Sequence, residues 1–341
     1  MKKTSILIIY TGGTIGMVEN PTTGSLKPLD FDHIKTQVPE LKIFPYQLTT
    51  ITFDPIVDSS DMEPAIWIRL AKIIKDNYDL YDGFVILHGT DTMAYTASAI
   101  SFLLENQTKS VIFTGSQLPI GKLRTDGKEN LITSIEIAAA QKNGQVLVPE
   151  VCIFFENQLF RANRTTKYNA EHFDAFQSDN YPRLAKAGIS IKYKYSVIHY
   201  PTHKGKLKIY TKLDNNVSIL KLFPGINKNT VEAILNTKNL KGLVLETFGS
   251  GNATTKPWFI NLLDKHIKKG LIIYNVTQCS AGSVDMGLYE TSLALKRIGI
   301  ISGQDITTEA AITKMMFLLG NKKNREEVVE CLQKSISGEM G

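Results

Sequence analysis

Short apolar runs alternate with longer segments of helical period along almost the whole chain, the pattern of an α/β protein with a largely parallel sheet. The runs Ser5–Tyr10, Phe84–His88, Ser110–Thr114 and Val151–Phe155 predict strands. Between them, Pro64–Asp76, Ala94–Glu105 and Asn130–Gln141 predict helices. A second series opens with Val217–Leu222, followed by Gly242–Glu246 and Leu271–Asn275 as strands. Its helices are expected at Thr230–Asn236, Lys256–Lys268, Tyr289–Arg297 and Thr308–Leu319. Ile189–Asn216 has no helical period and several β-favouring alternations, so it reads as a linker. The expected organisation is an N-terminal α/β domain over 1–190, a linker over 191–216 and a C-terminal α/β domain over 217–341. No internal repeat or low-complexity segment is evident.

A length of 341 residues agrees with two domains rather than one. With 43% hydrophobic and 21% charged residues, the chain can bury a sizeable core and has no disordered profile. The formal net charge of +6 is spread along the chain, without the blocks of like charge that mark nucleic-acid tails. Cys152, Cys279 and Cys331 are widely spaced, with no CxxC or Cys/His cluster, so neither a disulfide framework nor a zinc site is expected. The run Ile6–Tyr10 is too short for a secretory leader, and no segment approaches the roughly 20 apolar residues of a membrane span. The expected location is the cytoplasm.

In open α/β sheets, ligands bind beside the loops that leave the carboxyl ends of strands. Four such loops stand out. Thr11–Gly16 fits neither the dinucleotide pattern nor a P-loop. It is either a tight glycine turn or a hydroxyl, that of Thr14, held at a strand end beside amides able to stabilise an oxyanion. Asp58–Glu63 reads as a helix start, with Ser60 and Glu63 spaced as a capping box, and equally as a carboxylate site. In His88–Tyr95, Thr90 and Asp91 are helix caps or part of a polar constellation facing the first loop. Arg161–Lys167 is a solvated charged face, or it brings Lys167 beside Asp91 as a proton-shuttling pair.

Taken in order, TGGTIG at Thr11–Gly16, DSSDM at Asp58–Met62, HGTDTMAYTASA at His88–Ala99 and NRTTK at Asn163–Lys167 resemble the bacterial type I asparaginases. FTGSQLP at Phe113–Pro119, FGSGNA at Phe248–Ala253 and TQCSAG at Thr277–Gly282 extend the likeness over essentially the whole chain. The resemblance implies the asparaginase/glutaminase fold: a larger N-terminal α/β domain with a mostly parallel sheet flanked by helices, and a smaller C-terminal parallel-sheet domain. It implies hydrolysis of L-asparagine to L-aspartate and ammonia. Thr14 would attack the side-chain amide carbon, and water would release the acyl-threonine ester. Thr90, Asp91 and Lys167 match the second catalytic group. Asp58, Ser59 and Ser60 match the residues that hold the substrate's α-carboxylate and ammonium, with Thr90 and Asp91 also on the substrate. Asn252 would reach into a neighbour's site. The implied assembly is a homotetramer built as a dimer of dimers, or a homodimer. No metal, organic cofactor, nucleic acid or membrane is implied as a partner.

The chain departs from the family pattern in two places. Many relatives carry a tyrosine in the loop after the nucleophile, whereas Ser25 aligns there and no tyrosine occurs between Gly16 and Pro45. The loop Asn20–Gly24 is expected to close over substrate as a lid. Tyr289 is either the replacement hydroxyl or an ordinary half-buried tyrosine opening a helix. Some type I enzymes bind a second asparagine through an arginine in the segment matching Leu243–Gly249. Here that position is Glu246, with Thr166 and Cys279 retained, and a carboxylate would repel the effector's carboxylate. Two rival readings remain. One is the asparaginase-like subunit of a tRNA-dependent amidotransferase, to which the basic, tyrosine-rich Lys192–Lys212 is loosely suited. A start directly at the first strand is expected to leave no room for that subunit's extra N-terminal domain. The other is a non-catalytic amino-acid sensor, which would have no need of Thr14, Thr90, Asp91 and Lys167 together.

Overall fold

Continuous runs of Ile, Val, Leu and Phe have no polar face to turn to water, so they form strands where both sheet faces are covered. The computed structural model describes residues 3–19, 26–28, 34, 36–201, 205–287 and 289–341. It divides into two units, Met1–Tyr210 and Thr211–Gly341. The first is built on β1 (Ser5–Tyr10), β2 (Gln47–Thr52), β3 (Gly83–Leu87), β4 (Val111–Thr114) and β5 (Val151–Phe155). To these are added β6 (Gln158–Arg161), β7 (Ala185–Lys186) and β8 (Lys192–Tyr193). The sheet order is β8-β7-β6-β5-β4-β3-β1-β2. The five strands β1 to β5 run parallel, and β6 to β8 continue the sheet antiparallel.

Every residue of β1, β3, β4 and β5 is buried. Helices α1 (Pro64–Asp76), α2 (Met93–Leu103) and α3 (Gly127–Ala139) accompany the sheet. Leu131, Ile135 and Ala138 of α3 join Ile6, Ile8, Val85, Leu87, Ile112 and Phe154 in one core cluster. The hydrophobic pattern does not mark β2. Its sequence is mostly polar because it closes the sheet edge, where one flank meets water and no continuous apolar run is required. Beyond β8, Lys208–Ile209 pairs antiparallel with Leu104–Glu105.

The second unit holds β9 (Val217–Lys221), β10 (Gly242–Thr247), β11 (Ile272–Thr277) and β12 (Ile301–Ser302), parallel and adjacent in chain order. Its helices are α4 (Lys228–Leu235), α5 (Pro257–Lys268), α6 (Glu290–Arg297), α7 (Thr308–Asn321) and α8 (Arg325–Leu332). Asn227, Thr307 and Asn324 start α4, α7 and α8 by accepting a backbone N–H from the first turn, which satisfies a donor the helix leaves unpaired. Leu243, Leu245, Phe259, Leu263 and Ile273 fill the core. Beside it a fully buried ion pair joins Lys314 of α7 to Glu339 at 2.7 Å. Burial lowers the Lys314 pKa, opposed by the Glu339 carboxylate beside it. Lys314 also donates to the Lys334 carbonyl, and Glu339 accepts from the amides of Ile336 and Ser337. Among the described residues no helix is long and apolar enough to cross a membrane.

Candidate active site

Parallel pairing sets Tyr10 of β1 opposite Leu87 of β3, and Leu87 opposite Thr114 of β4, so the loops after these strands leave one end of the sheet. Thr11 fixes the exit of β1, donating both its backbone N–H and its hydroxyl to the Leu87 carbonyl at 3.0 and 2.9 Å. The chain then turns through Gly12 and Gly13 into a short 3-10 turn that Thr14 opens. Gly13 has φ 96°, and a Cβ there would lie 2.4 Å from the Gly89 nitrogen. A Cβ on Gly89 would in turn lie 2.5 Å from Ser59 Oγ. Only glycine allows backbones to approach this closely. The contact seats the Thr14 turn and the Ser59 turn directly against the loop that carries Thr90.

Lys167 comes to this point on a two-residue antiparallel ribbon, Thr166–Lys167 paired with Phe176–Gln177. Its ammonium donates to Thr90 Oγ1 at 2.8 Å and to Asp91 Oδ1 at 2.7 Å. Thr90 donates to Gln117 Oε1 at 3.2 Å. The Gln117 amide then donates to the carbonyls of Ala170 and His172, both at 3.1 Å, in the loop of the Lys167 ribbon. The Thr90 hydroxyl thus has a set direction, taking a hydrogen bond from a cation and giving one to an amide. The Lys167 side chain is 15% exposed and the Asp91 side chain 67%, so the carboxylate is the more solvent-open member of the pair.

The Asp58 turn is arranged differently from the expected capping box. Glu63 sits at the N-cap of α1 without a side-chain bond, and Ser60 does not cap that helix. Instead Asp58 caps the short turn Ser59–Asp61, accepting from the Ser60 amide and the Ser60 hydroxyl, both at 2.8 Å. These bonds, the backbone one first, hold the Asp58 carboxyl below its usual range. Ser59 itself is buried at 4% exposure. Two cross-links hold the turn: Val57 N–H donates to the Thr11 carbonyl at 2.8 Å, and the Thr92 hydroxyl donates to the Ser59 carbonyl at 2.6 Å.

His88 lies beneath these loops with no exposed surface. Its Nδ1 is 2.7 Å from the Gly89 carbonyl, which assigns the proton to Nδ1, while Nε2 has no partner among the described residues. Burial pushes its pKa down to about 4, so the ring is neutral at neutral pH. The Arg161–Lys167 segment is not a solvated face either. Arg161 and Arg164 are buried, Arg161 bonds Glu150 at 2.5 Å, and both guanidinium groups lie over the Tyr181 ring, at 4.3 and 5.1 Å.

The remaining candidates are spread over the two units. Thr166 lies in the first, beside Lys167 in the ribbon. In the second, Asn252 bridges back to Phe248, and its Oδ1 accepts from the Thr291 hydroxyl at 2.7 Å. Tyr289 is half-exposed at the start of α6. Glu246 accepts from the Thr308 hydroxyl at 2.6 Å and lies 3.6 Å from the Lys221 ammonium. Cys279 is exposed, and its amide donates to the Thr277 hydroxyl. Ser25 and the Asn20–Gly24 loop lie outside the described residues. Sequence reasoning did not single out Gln117 or Thr92. Both stand inside motifs that carry the family likeness, yet neither residue type announces chemistry by itself.

The chain is similar to known proteins along its whole length. Residues 5–199 match the family described as Asparaginase, N-terminal, and residues 216–332 match the Glutaminase/Asparaginase C-terminal domain. L-asparaginase 1 of Escherichia coli (strain K12) is 40% identical over 348 residues, spanning 100% of this chain and 99% of that protein. The Homo sapiens 60 kDa lysophospholipase is 41% identical over 98% of this chain, which matches 61% of that longer protein. The crystal structure of L-asparaginase I from Vibrio cholerae superposes with a TM-score of 0.90 at 41% identity, covering all of both chains.

Proposed function

The chain belongs to the asparaginase family, and from that premise we propose that it is an L-asparaginase, a hydrolase converting L-asparagine to L-aspartate and ammonia. In this reading Thr14 Oγ1 attacks the side-chain carboxamide carbon. The C–N bond breaks, the departing nitrogen takes up a proton, and ammonia leaves. Water then attacks the acyl-threonine ester, which frees aspartate and restores the Thr14 hydroxyl. The close-approaching glycine backbone before Thr14 suits the developing oxyanion.

The observation that carries the reading is the Lys167 ammonium shared between Thr90 and Asp91, on a loop packed backbone to backbone against the Thr14 turn. A cation on Thr90 Oγ1 steadies that oxygen as protons move to and from it, a general acid–base arrangement. Asp91 is open to meet the substrate's ammonium, and the Asp58–Ser60 turn faces the same point for the α-carboxylate and ammonium. Thr90 lines the pocket in both roles. We further propose a homo-oligomer, a tetramer made of dimers or a dimer, in which Asn252 serves a neighbouring subunit's site. We place the enzyme in the cytoplasm, a reducing compartment that suits its free cysteines.

Ammonia release from asparagine, measured for wild type and Thr14→Ala with and without tRNA, tests the reading. Turnover by wild type alone, independent of tRNA, supports it. A Thr14→Ala enzyme with substantial residual turnover refutes the nucleophile. Activity only with charged tRNA identifies an amidotransferase subunit, and binding of asparagine without ammonia identifies a sensor.

A further inference from the structure

Thr92 occupies the N-cap position of α2, where a threonine oxygen ordinarily accepts an amide of the first helical turn. It makes no such bond. Its hydroxyl points away from the helix and donates at 2.6 Å to the carbonyl of Ser59, across 33 residues of chain. The only other bond to that carbonyl among the described residues is a long one, from the Met62 amide at 3.4 Å. A residue well suited to cap a helix is thus spent on the turn that carries Ser59 and Ser60.

We infer that Thr92 is a positioning residue that sets the Ser59–Ser60 turn for the substrate's α-groups. The inference rests on the asparaginase reading above. Three contacts define where that turn sits. The Val57 amide ties it to the Thr14 loop, the Ser59 side chain abuts Gly89, and the Thr92 hydroxyl pulls the Ser59 carbonyl toward the Thr90 loop. The first two fix the turn's distance from the catalytic loops. The third acts on its rotation: the Ser59–Ser60 peptide plane is held by Asp58 on its amide side and by Thr92 on its carbonyl side. Rotation of that plane swings the Ser60 amide off Asp58 Oδ1 and carries with it the Ser59 and Ser60 side chains that the asparaginase reading puts on the substrate's α-groups. Thr92 touches no reacting atom, so its loss acts on substrate placement before it acts on chemistry.

The test compares wild type, Thr92→Val and Thr92→Ser in steady-state ammonia release from asparagine, together with thermal unfolding of each. Valine keeps the shape and removes the donor, whereas serine keeps the donor. The expected result is a KM for Thr92→Val raised roughly tenfold with kcat within about threefold of wild type, the signature of lost binding shared by ground and transition states. Thr92→Ser should return KM to within about threefold of wild type. An unchanged KM in a folded Thr92→Val enzyme overturns the inference, as does a kcat loss without a KM change, or a serine variant as impaired as the valine one. If Thr92→Val does not fold, the serine variant and Thr92→Ala carry the same comparison. A wild type without asparaginase activity overturns the underlying reading, and the inference with it.

Discussion

Lys167 Nζ stands 2.8 Å from Thr90 Oγ1 and 2.7 Å from Asp91 Oδ1, so one ammonium fixes two neighbouring side chains of a different loop. Lys167→Met keeps the length of the side chain and removes the charge. It should lower kcat by about 10²- to 10⁴-fold, the range of a positioned acid–base group, while the protein unfolds at nearly the wild-type temperature. Thr14→Ala should be at least as damaging. Single-turnover ammonia release checks both, and a Lys167→Met enzyme within tenfold of wild type would remove Lys167 from the mechanism.

Asparagine should be strongly preferred over glutamine. If the α-groups are anchored at the Ser59–Ser60 turn and Asp91, as proposed, one extra methylene carries the carboxamide past Thr14. Misplacing a reacting carbon by about an ångström costs on the order of 10²-fold. Equal kcat/KM values for the two amides would contradict this anchoring.

The hydroxyl that helps activate Thr14 is assigned by a pair of variants. If it belongs to Tyr289, Tyr289→Phe should depress kcat far more than it raises KM, because only the transition state loses an interaction, and Ser25→Ala should be nearly silent. The opposite ranking would give the role to the loop.

Asparagine saturation should be hyperbolic. Glu246, which the family resemblance sets where an effector-binding arginine is expected, already accepts from Thr308 and lies near Lys221. A carboxylate so placed repels a second asparagine's carboxylate. A Hill coefficient clearly above one in initial-rate titrations would show that an effector site persists.

Acid should destabilise the protein through His88. Its folded pKa of about 4 lies below the unfolded value near 6.5, so between these the unfolded chain binds more protons. The stability due to neutral His88 is complete above pH 6.5 and falls away as pH drops toward 4, a loss of about 3 kcal/mol in all. Urea unfolding at pH 7 and pH 5 should show part of this loss in wild type and a smaller one in His88→Asn. Equal losses would place the acid sensitivity elsewhere.

Elements buried on both faces were legible in the sequence because nothing competes with a continuous apolar run. Ser5–Tyr10 and Val151–Phe155 match their strands residue for residue, and Pro64–Asp76 matches its helix. The edge strand Gln47–Thr52 was hidden by its polarity, and the short antiparallel strands β7 and β8 by their length. In the site, the Lys167–Asp91 pair was readable as complementary charge at two loops. The capping box was misread because Asp58, two residues earlier, competes for the Ser60 hydroxyl and wins it. Gln117 and Thr92 act through geometry set by distant chain, which spacing along the sequence does not encode.

The buried pair of Lys314 and Glu339 imposes an order of events on a growing polypeptide. The lysine leaves the ribosome first, within a helix that must lie against the second unit's sheet, while its carboxylate is still inside the exit tunnel. An ammonium sealed from water without its counter-charge is costly enough to keep α7 undocked. The second unit therefore closes only after the segment through Glu339 has emerged, whereas the first unit has by then long had its whole sheet outside. Synthesis itself separates the two folding reactions in time, and the later one waits for a carboxylate made after the lysine it pairs with.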